Sequence, residues 1–276
     1  MNFRAHIDSD ELNHLYFDDG LTIEEIAARF GCSPTTIRRR MDDLGIDARP
    51  RGPYVERDRS PEWSPELAYV VGLITSDGNR SSDGRHLQST SKDYDLLETA
   101  RACLGISNSI TPSSGSGFSS HTHFRLQWGN RVFYDWLISI GLMPAKSLRL
   151  GPLAIPDEHF ADFVRGCVDG DGTIVTYTDY YNTSKSDDYI YERLFVALVS
   201  ASHPFLEWMQ GTLNRLLSIS GGISKNHPAC WTLKYMKKDS LRLLKWIYYS
   251  PDVPCLARKR DKAMPFITGY GSPKVP

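Results

Sequence analysis

The sequence lacks the features that are typical of membrane-bound, secreted or disulfide-stabilised proteins. No apolar run approaches the roughly 18 residues that a membrane-spanning helix needs. The opening residues, MNFRAHIDSDEL, contain no apolar stretch of the kind found in secretion signals, so we expect none. The five cysteines are scattered and form no CxxC pair. This pattern predicts reduced thiols in the cytoplasm and argues against a zinc ribbon.

A strong charge of either sign is also missing, since the formal net charge of the 276 residues is −1. The balance alone therefore does not indicate a nucleic-acid partner. Residues 221–276 nevertheless carry 11 Lys or Arg and only 3 Asp or Glu. This basic end could face phosphates or could simply be a solvated tail.

Residues 1–48 have the pattern of a small helix-turn-helix domain. Thr22 and Glu25 form a possible capping box, and Ser33 followed by Pro34 is suited to begin a second helix after the turn at Gly31. The second helix would present side chains suited to phosphate and base-edge contacts: Thr35, Thr36, Arg38, Arg39 and Arg40. The simpler alternative is a helical hairpin with a solvated arginine-rich face.

After a proline-rich linker at 49–63, the sequence repeats itself. The apolar stretch VVGLITSDG at 70–78 is matched by VRGCVDGDG at 164–172. Each stretch forms the first helix of the same predicted order of elements, helix–strand–strand–helix–strand–strand–helix. We therefore predict an α+β fold in which residues 64–155 and 156–276 form two similar halves, αββαββα, related by a pseudo-twofold axis.

The repeated helices carry small residues at four-residue spacing, with Gly72 in the first and Gly166 in the second. Small residues on one helical face allow two backbones to approach closely. Such packing would bring Asp77 and Asp171 together at the negative ends of both helix dipoles. A divalent cation would relieve the repulsion between the carboxylates, because Mg²⁺ prefers one or two carboxylates together with phosphate oxygens and waters. Asp-Gly is also a common helix stop, but its duplication favours a metal site.

These two stretches resemble the signature helices of the LAGLIDADG homing endonucleases, in the single-chain form, over residues 64–268. The resemblance implies a saddle-shaped fold astride DNA and a Mg²⁺- or Mn²⁺-dependent double-strand break at a long recognition site. It implies that Asp77 and Asp171 are metal ligands and catalytic residues. It also implies a lysine near the scissile phosphates in each half, for which Lys146 and Lys259 are the closest matches. Thr75 departs from the pattern at a position where an acid is usual, whereas Asp169 fits it.

Two predicted strands alternate between apolar and polar residues, which indicates one buried and one open sheet face. The open faces would present DNA-contacting side chains to the major groove, namely His123, Arg125 and Gln127 in one strand and Thr232 and Lys234 in the other. His121 and His123 could alternatively bind zinc, although no cysteine or acid lies beside them. Ser91, Lys92, Ser202 and His203 are further candidates for contact with the active-site water.

Three functions remain open from the residues and the resemblance. The first is a monomeric, cytoplasmic, site-specific DNA endonuclease, which the two aspartates favour. The second is a transcription regulator that keeps the fold without cutting DNA. The third is a maturase that binds intron RNA.

Overall fold

The computed structural model describes residues 8–48, 61–76, 78–80, 84–113, 123–142, 150–181, 190–227 and 230–268. The chain divides into two compact units, Met1–Arg51 and Gly52–Pro276. Each unit has its own hydrophobic core. Within the described residues, no helix combines the length and the apolar character that crossing a membrane requires.

The first unit contains helix α1 (Ser9–Asn13), a π-helical segment (His14–Asp18), α2 (Ile23–Arg29) and α3 (Pro34–Asp43). The capping box before α2 is present, because the Thr22 hydroxyl accepts from the Glu25 N–H while the Glu25 carboxylate accepts from the Thr22 N–H. Ser33 caps α3 by accepting from the Thr36 N–H at 3.2 Å. Gly31 takes a positive φ of 62° in the turn between the two helices. Both predicted helices are therefore present, and a further helical segment precedes them.

The second unit contains the predicted element order twice, which confirms the α+β fold. The first half runs α4 (Pro65–Ser76), β1 (Gly78–Arg80), β2 (His86–Ser91), α5 (Tyr94–Cys103), β3 (Ile110–Ser113), β4 (His123–Gly129) and α6 (Arg131–Ser139). The second half runs α7 (Phe160–Asp169), β5 (Thr173–Asp179), β6 (Tyr191–Ser200), α8 (His203–Leu217), β7 (Gly222–His227), β8 (Cys230–Met236) and α9 (Lys237–Ile247). A last helix, α10 (Ala257–Ile267), has no counterpart among the described residues of the first half.

Each half builds one four-stranded antiparallel sheet with the same permuted order. The first sheet is β1–β2–β4–β3 and the second is β5–β6–β8–β7. Along β4, Leu126 and Trp128 are almost completely buried while Gln127 between them is exposed. The same alternation buries Leu233 and Tyr235 in β8. Each sheet thus packs one face on a core that both halves share and leaves the other face open.

Candidate active site

The two motif helices, α4 and α7, are in direct backbone contact. A Cβ atom added to Gly72 would overlap the carbonyl oxygen of Phe163 and would lie 2.9 Å from the Cα of Gly166. A Cβ atom on Gly166 would likewise overlap the carbonyl oxygen of Tyr69. Since only glycine permits this separation, the two motif glycines are required where the helices cross. The packing expected from the small-residue spacing is therefore present.

The C-terminal ends of the motif helices line one cavity of about 430 Å³. Thr75 and Ser76 from the end of α4 reach it, together with the exposed Asp171 that follows α7. Asp77 lies outside the described residues, so the structure places one of the two predicted metal ligands. Lys146 also lies outside them. Asp171 nevertheless shares its cavity with the residue that immediately precedes Asp77.

Asp169 is not directed at the solvent but is buried as a structural group. Its Oδ2 accepts a hydrogen bond from the Tyr69 hydroxyl of α4 at 3.0 Å and another from the Leu256 N–H at 2.7 Å. Burial raises the pKa of this carboxyl to about 6, although both hydrogen bonds oppose the shift. Its other oxygen, Oδ1, is buried without a hydrogen-bond partner. In the first motif, the matching Thr75 hydroxyl instead donates to the Val71 carbonyl at 2.7 Å.

Lys259, on α10, places its ammonium group against the end of α7. The Nζ atom donates to the carbonyl oxygens of four residues, Val168 at 2.7 Å, Asp169 at 2.8 Å, Gly170 at 3.0 Å and Gly172 at 2.8 Å. An ammonium group has three N–H donors, so these acceptors engage all of them. The positive charge also lies at the negative end of the α7 dipole. The observed hydrogen bonds therefore hold the loop that carries Asp171. The contact between Lys259 and a phosphate, which the family resemblance implies, stays a prediction, and it would require some of these hydrogen bonds to break.

Arg165 is a site residue that sequence reasoning missed. It is fully buried within α7, and its guanidinium donates to the carbonyls of Pro254 and Ile247 at 2.7 Å each and to the Asp162 carboxylate at 2.5 Å. The Tyr69 ring lies 5.5 Å from its central carbon. The available signal was a charged residue among the apolar and small residues Val164, Gly166, Cys167 and Val168, a position that requires buried partners. Arg165 thereby connects the motif helix to the segment that leads into α10.

The side chains predicted to contact DNA through the first sheet lie on its open face. Gln127 is exposed, and His123 and Arg125 are partly exposed. Arg125 pairs with Thr90 of β2 and Thr111 of β3. His121 lies outside the described residues, so the alternative zinc pair remains a prediction. Among the described residues, no group of three or more His, Cys, Asp or Glu side chains could hold a metal ion.

The second sheet presents Thr232 and Lys234 on its open face, both partly exposed. The Lys234 ammonium lies 3.7 Å from the centre of the Phe195 ring. Of the further candidates, Ser202 is buried and donates to the Leu150 carbonyl. The His203 ring contacts the Trp231 ring, with centres 4.2 Å apart and planes inclined at 53°. Ser91 accepts from the Asp93 N–H at 3.1 Å. These contacts give Ser202, His203 and Ser91 structural partners, and contact with an active-site water stays a prediction for them and for the exposed Lys92.

In the first unit, most of the predicted DNA-contacting side chains of α3 are exposed. These are Thr35, Thr36, Arg38 and Arg39, whereas Arg40 is partly exposed. Arg38 lies 3.8 Å from the Glu24 carboxylate, with both side chains more than half exposed. No other described part of the first unit thus covers this face of α3, and a partner could reach it.

Comparison with known proteins identifies the fold. No protein-family model matches the chain, and no curated protein matches it. Among solved structures, the meganuclease I-SmaMI bound to uncleaveable DNA is 14% identical, with a TM-score of 0.52 over 76% of this chain and 93% of that one. The DUF199/WhiA protein from Thermatoga maritima is 15% identical, with a TM-score of 0.46 over 79% of this chain and 65% of its own length. The homing endonuclease I-DmoI in complex with DNA and Mn is 16% identical, with a TM-score of 0.42 over 67% of this chain and 97% of that one.

The class that these observations define is the LAGLIDADG fold. At this identity the likeness to I-SmaMI shows the fold alone. The second unit therefore has the LAGLIDADG fold, and both motif helices come from the same polypeptide.

Proposed function

We propose that the protein is a site-specific DNA endonuclease that makes a divalent-metal-dependent double-strand break at a long recognition site. The observation that supports this most directly is the close crossing of α4 and α7, whose C-terminal ends line one cavity with Asp171. A carboxylate at a helix C-terminus is unfavourable by about 0.3–1 kcal/mol. A binding protein has no use for that arrangement, whereas a metal site does.

The donor chemistry of the cavity fits a hard divalent cation. Asp171 is exposed to the cavity and would hold Mg²⁺ or Mn²⁺ together with Asp77, and substrate phosphate oxygens and waters would complete the coordination. A cluster of three protein ligands is not needed for such an ion. When bound, the metal would stabilise the charge that develops on the phosphate and help to activate a water nucleophile.

The protein's own residues would orient this site. Lys259 fixes the Gly170–Gly172 loop through its carbonyls and leaves the Asp171 carboxylate facing the cavity. The open sheet faces would hold the duplex on either side, with Arg125 and Gln127 hydrogen-bonding base edges from the first sheet and Lys234 contacting the backbone from the second. Because one chain supplies both motifs, the site is complete in a monomer. The five cysteines are free, which supports action in a reducing compartment such as the cytoplasm.

The test begins with selection of duplexes from a random pool in Ca²⁺, which should permit binding but little cutting. The selected pool is then transferred to Mg²⁺ and the new ends are sequenced. We expect double-strand breaks with 3′ overhangs at one fixed position. Asp171→Asn should keep Ca²⁺-dependent binding and reduce cutting more than about 100-fold, since even residues that only orient metal ligands contribute about 10–100-fold.

Asp252→Asn, at an exposed turn, is the matched control and should cut normally. Selective binding with intact DNA in Mg²⁺ would instead indicate a regulator. Preferential binding of a folded intron RNA over every duplex would indicate a maturase. If Asp171→Asn cut DNA as fast as the unmodified protein, the proposed metal centre would be wrong.

The first unit would add DNA contacts through α3. Replacing Arg38 and Arg39 by Gln should weaken duplex binding and lower the slope of log affinity against log salt by about 0.9 for each phosphate that is no longer neutralised. Glu24→Gln, which removes the partner of Arg38 without removing a cation, serves as the control. An unchanged salt slope in the double variant would contradict DNA binding by this helix.

A further inference from the structure

The open faces of the two sheets differ in chemistry although the halves are duplicated. On the first sheet, Thr90, Arg125 and Thr111 form one polar row across β2, β4 and β3. Gln88 and Gln127 form the next row. Every side chain in these rows can donate or accept hydrogen bonds, which suits recognition of the polar base edges in the major groove.

The corresponding face of the second sheet contains a row that is entirely apolar. Val175 of β5 pairs with Phe195 of β6, and Phe195 pairs with Met236 of β8. Met236 is 58% exposed, and Val199, further along β6, is 36% exposed. None of these side chains belongs to the shared core, which uses the opposite face, including Val196 and Leu233. The row is therefore an apolar strip across three strands that is exposed at Met236 and partly exposed at Val175 and Phe195.

The cations on this face accompany the apolar side chains. The Lys234 ammonium lies over the Phe195 ring at 3.7 Å. Arg193 is held by the Asp179 carboxylate at 2.9 Å, and its guanidinium lies 5.2 Å from the centre of the Tyr191 ring. An apolar row with cations beside it suits a polyanion that also offers apolar groups. In the major groove of DNA, the apolar group that distinguishes one base from the others is the thymine C5-methyl group.

We propose that the second sheet reads its half of the DNA site through thymine methyl groups, which contact the row Val175, Phe195 and Met236. The first sheet reads the other half through hydrogen bonds. This inference rests on the proposed DNA binding of the second unit, and it names the bases that each half of the chain selects. It predicts a recognition site that is rich in A·T pairs on one side only.

The test uses uracil in place of thymine, because this change removes the methyl group and leaves the hydrogen-bonding edges intact. The full chain first selects duplexes from a random pool in Ca²⁺, and Arg125→Ala identifies the half-site that contacts the first sheet by relaxing its base preference. Binding is then measured with uracil in one half-site at a time. We expect affinity to fall about fourfold for each methyl group contacted in the second half-site, from the free energy of burying one methylene-sized group. Uracil in the first half-site should have no effect.

Met236→Gln should lower the sensitivity to uracil by the roughly fourfold factor expected for one methyl contact, while the contacts of Val175 and Phe195 keep the rest. Because Met236 is 58% exposed, the substitution should not disturb folding. Ile138→Gln, a similar change at a 40% exposed position of α6, should retain the full sensitivity. A selected site without thymine enrichment, or equal affinity for both bases, would overturn this inference while leaving DNA binding intact. Failure to select any duplex would overturn the proposed function as well.

Discussion

Replacing Lys259 by Met is the change that most directly tests how the loop around Asp171 is held. Methionine keeps a long, flexible and apolar side chain in the buried space but removes the ammonium group. Four backbone carbonyls at the end of α7 would lose their donor, namely those of Val168, Asp169, Gly170 and Gly172. The negative end of the helix dipole would also lose the positive charge beside it.

Two opposing contributions determine the size of the effect. Hydrogen bonds from a charged donor contribute about 1.5–3 kcal/mol each to stability, and acceptors left buried without a partner are costly. Against this, burial of an ammonium group is itself unfavourable by several kcal/mol, and that cost disappears in the variant. Leaving a buried acceptor without its donor typically costs about 1–3 kcal/mol. Because the loop carries the exposed Asp171, which lines the cavity, water can replace some of the missing hydrogen bonds, and we expect a destabilisation of about 3 kcal/mol.

The free energy of unfolding should be measured by urea denaturation, with thermal melting as a second readout. A decrease of about 3 kcal/mol corresponds to a fall in Tm of roughly 6–12 °C for a unit of this size. Lys262→Met, on the exposed side of α10, is the matched control and should stay within about 0.5 kcal/mol. If Lys259→Met changed stability as little as the control, the observed hydrogen bonds to the carbonyls would not hold the loop, and the residue would be available for a phosphate after all.

The helix crossing and one ion pair give two further predictions. Gly72→Ala should destabilise the protein by several kcal/mol or prevent folding, because its Cβ would overlap the backbone of α7. Gly211→Ala is the control, since a Cβ there would meet open space in α8, and it should stabilise the protein by up to about 1 kcal/mol. Urea denaturation of both variants gives the free energies of unfolding to compare. The Arg258 guanidinium donates hydrogen bonds of 2.6 and 2.8 Å to the Asp93 carboxylate and lowers its pKa. The stability that this pair contributes is therefore present above the unfolded-state pKa of about 4 and is lost as the pH falls below that pKa. Denaturation of the unmodified protein and of Arg258→Met should therefore differ by less than about 1 kcal/mol at pH 7, since the pair is partly exposed. The difference should shrink as the pH falls below about 4 and through the lowered pKa of Asp93. A difference that grew on acidification would contradict this assignment.

Much of the fold was predictable because local signals and the duplication agreed. The capping box at Thr22, the serine cap at Ser33 and the alternation in β4 and β8 each rest on contacts between residues close in sequence or on a regular period. Gly72 and Gly166 were informative for another reason. Small residues at four-residue spacing in two similar helices leave few roles other than close packing, and the structure has that packing.

The remaining features depend on contacts that are distant in sequence and occur only once among the described residues. Lys259 contacts carbonyls about 90 residues earlier in the chain, and Arg165 contacts carbonyls more than 80 residues later. The Lys259 contacts and the Arg165 contact with Pro254 involve α10 or the segment that leads into it, and α10 has no counterpart in the described part of the first half. The other Arg165 contact, with the Ile247 carbonyl, lies at the end of α9 within the repeat. A lysine in a basic C-terminal segment and an arginine among the apolar residues of the second motif helix therefore carried no sequence signal that identified their partners.

The two motif ends are consequently not equivalent, although the sequence repeats. The end of α7 is held from outside the repeat, by the Leu256 N–H through Asp169 and by Lys259 through the loop carbonyls. At the end of α4, the residue that matches Asp169 is Thr75, whose hydroxyl donates within its own helix to the Val71 carbonyl. A buried carboxyl such as Asp169 is costly unless it is well bonded, and the first motif avoids that cost by using threonine. The acid at this position is therefore required where the segment leading into α10 supplies a backbone donor. This requirement explains how the first motif can carry threonine instead of the acid. Both helices nevertheless keep the glycine crossing that brings their ends together.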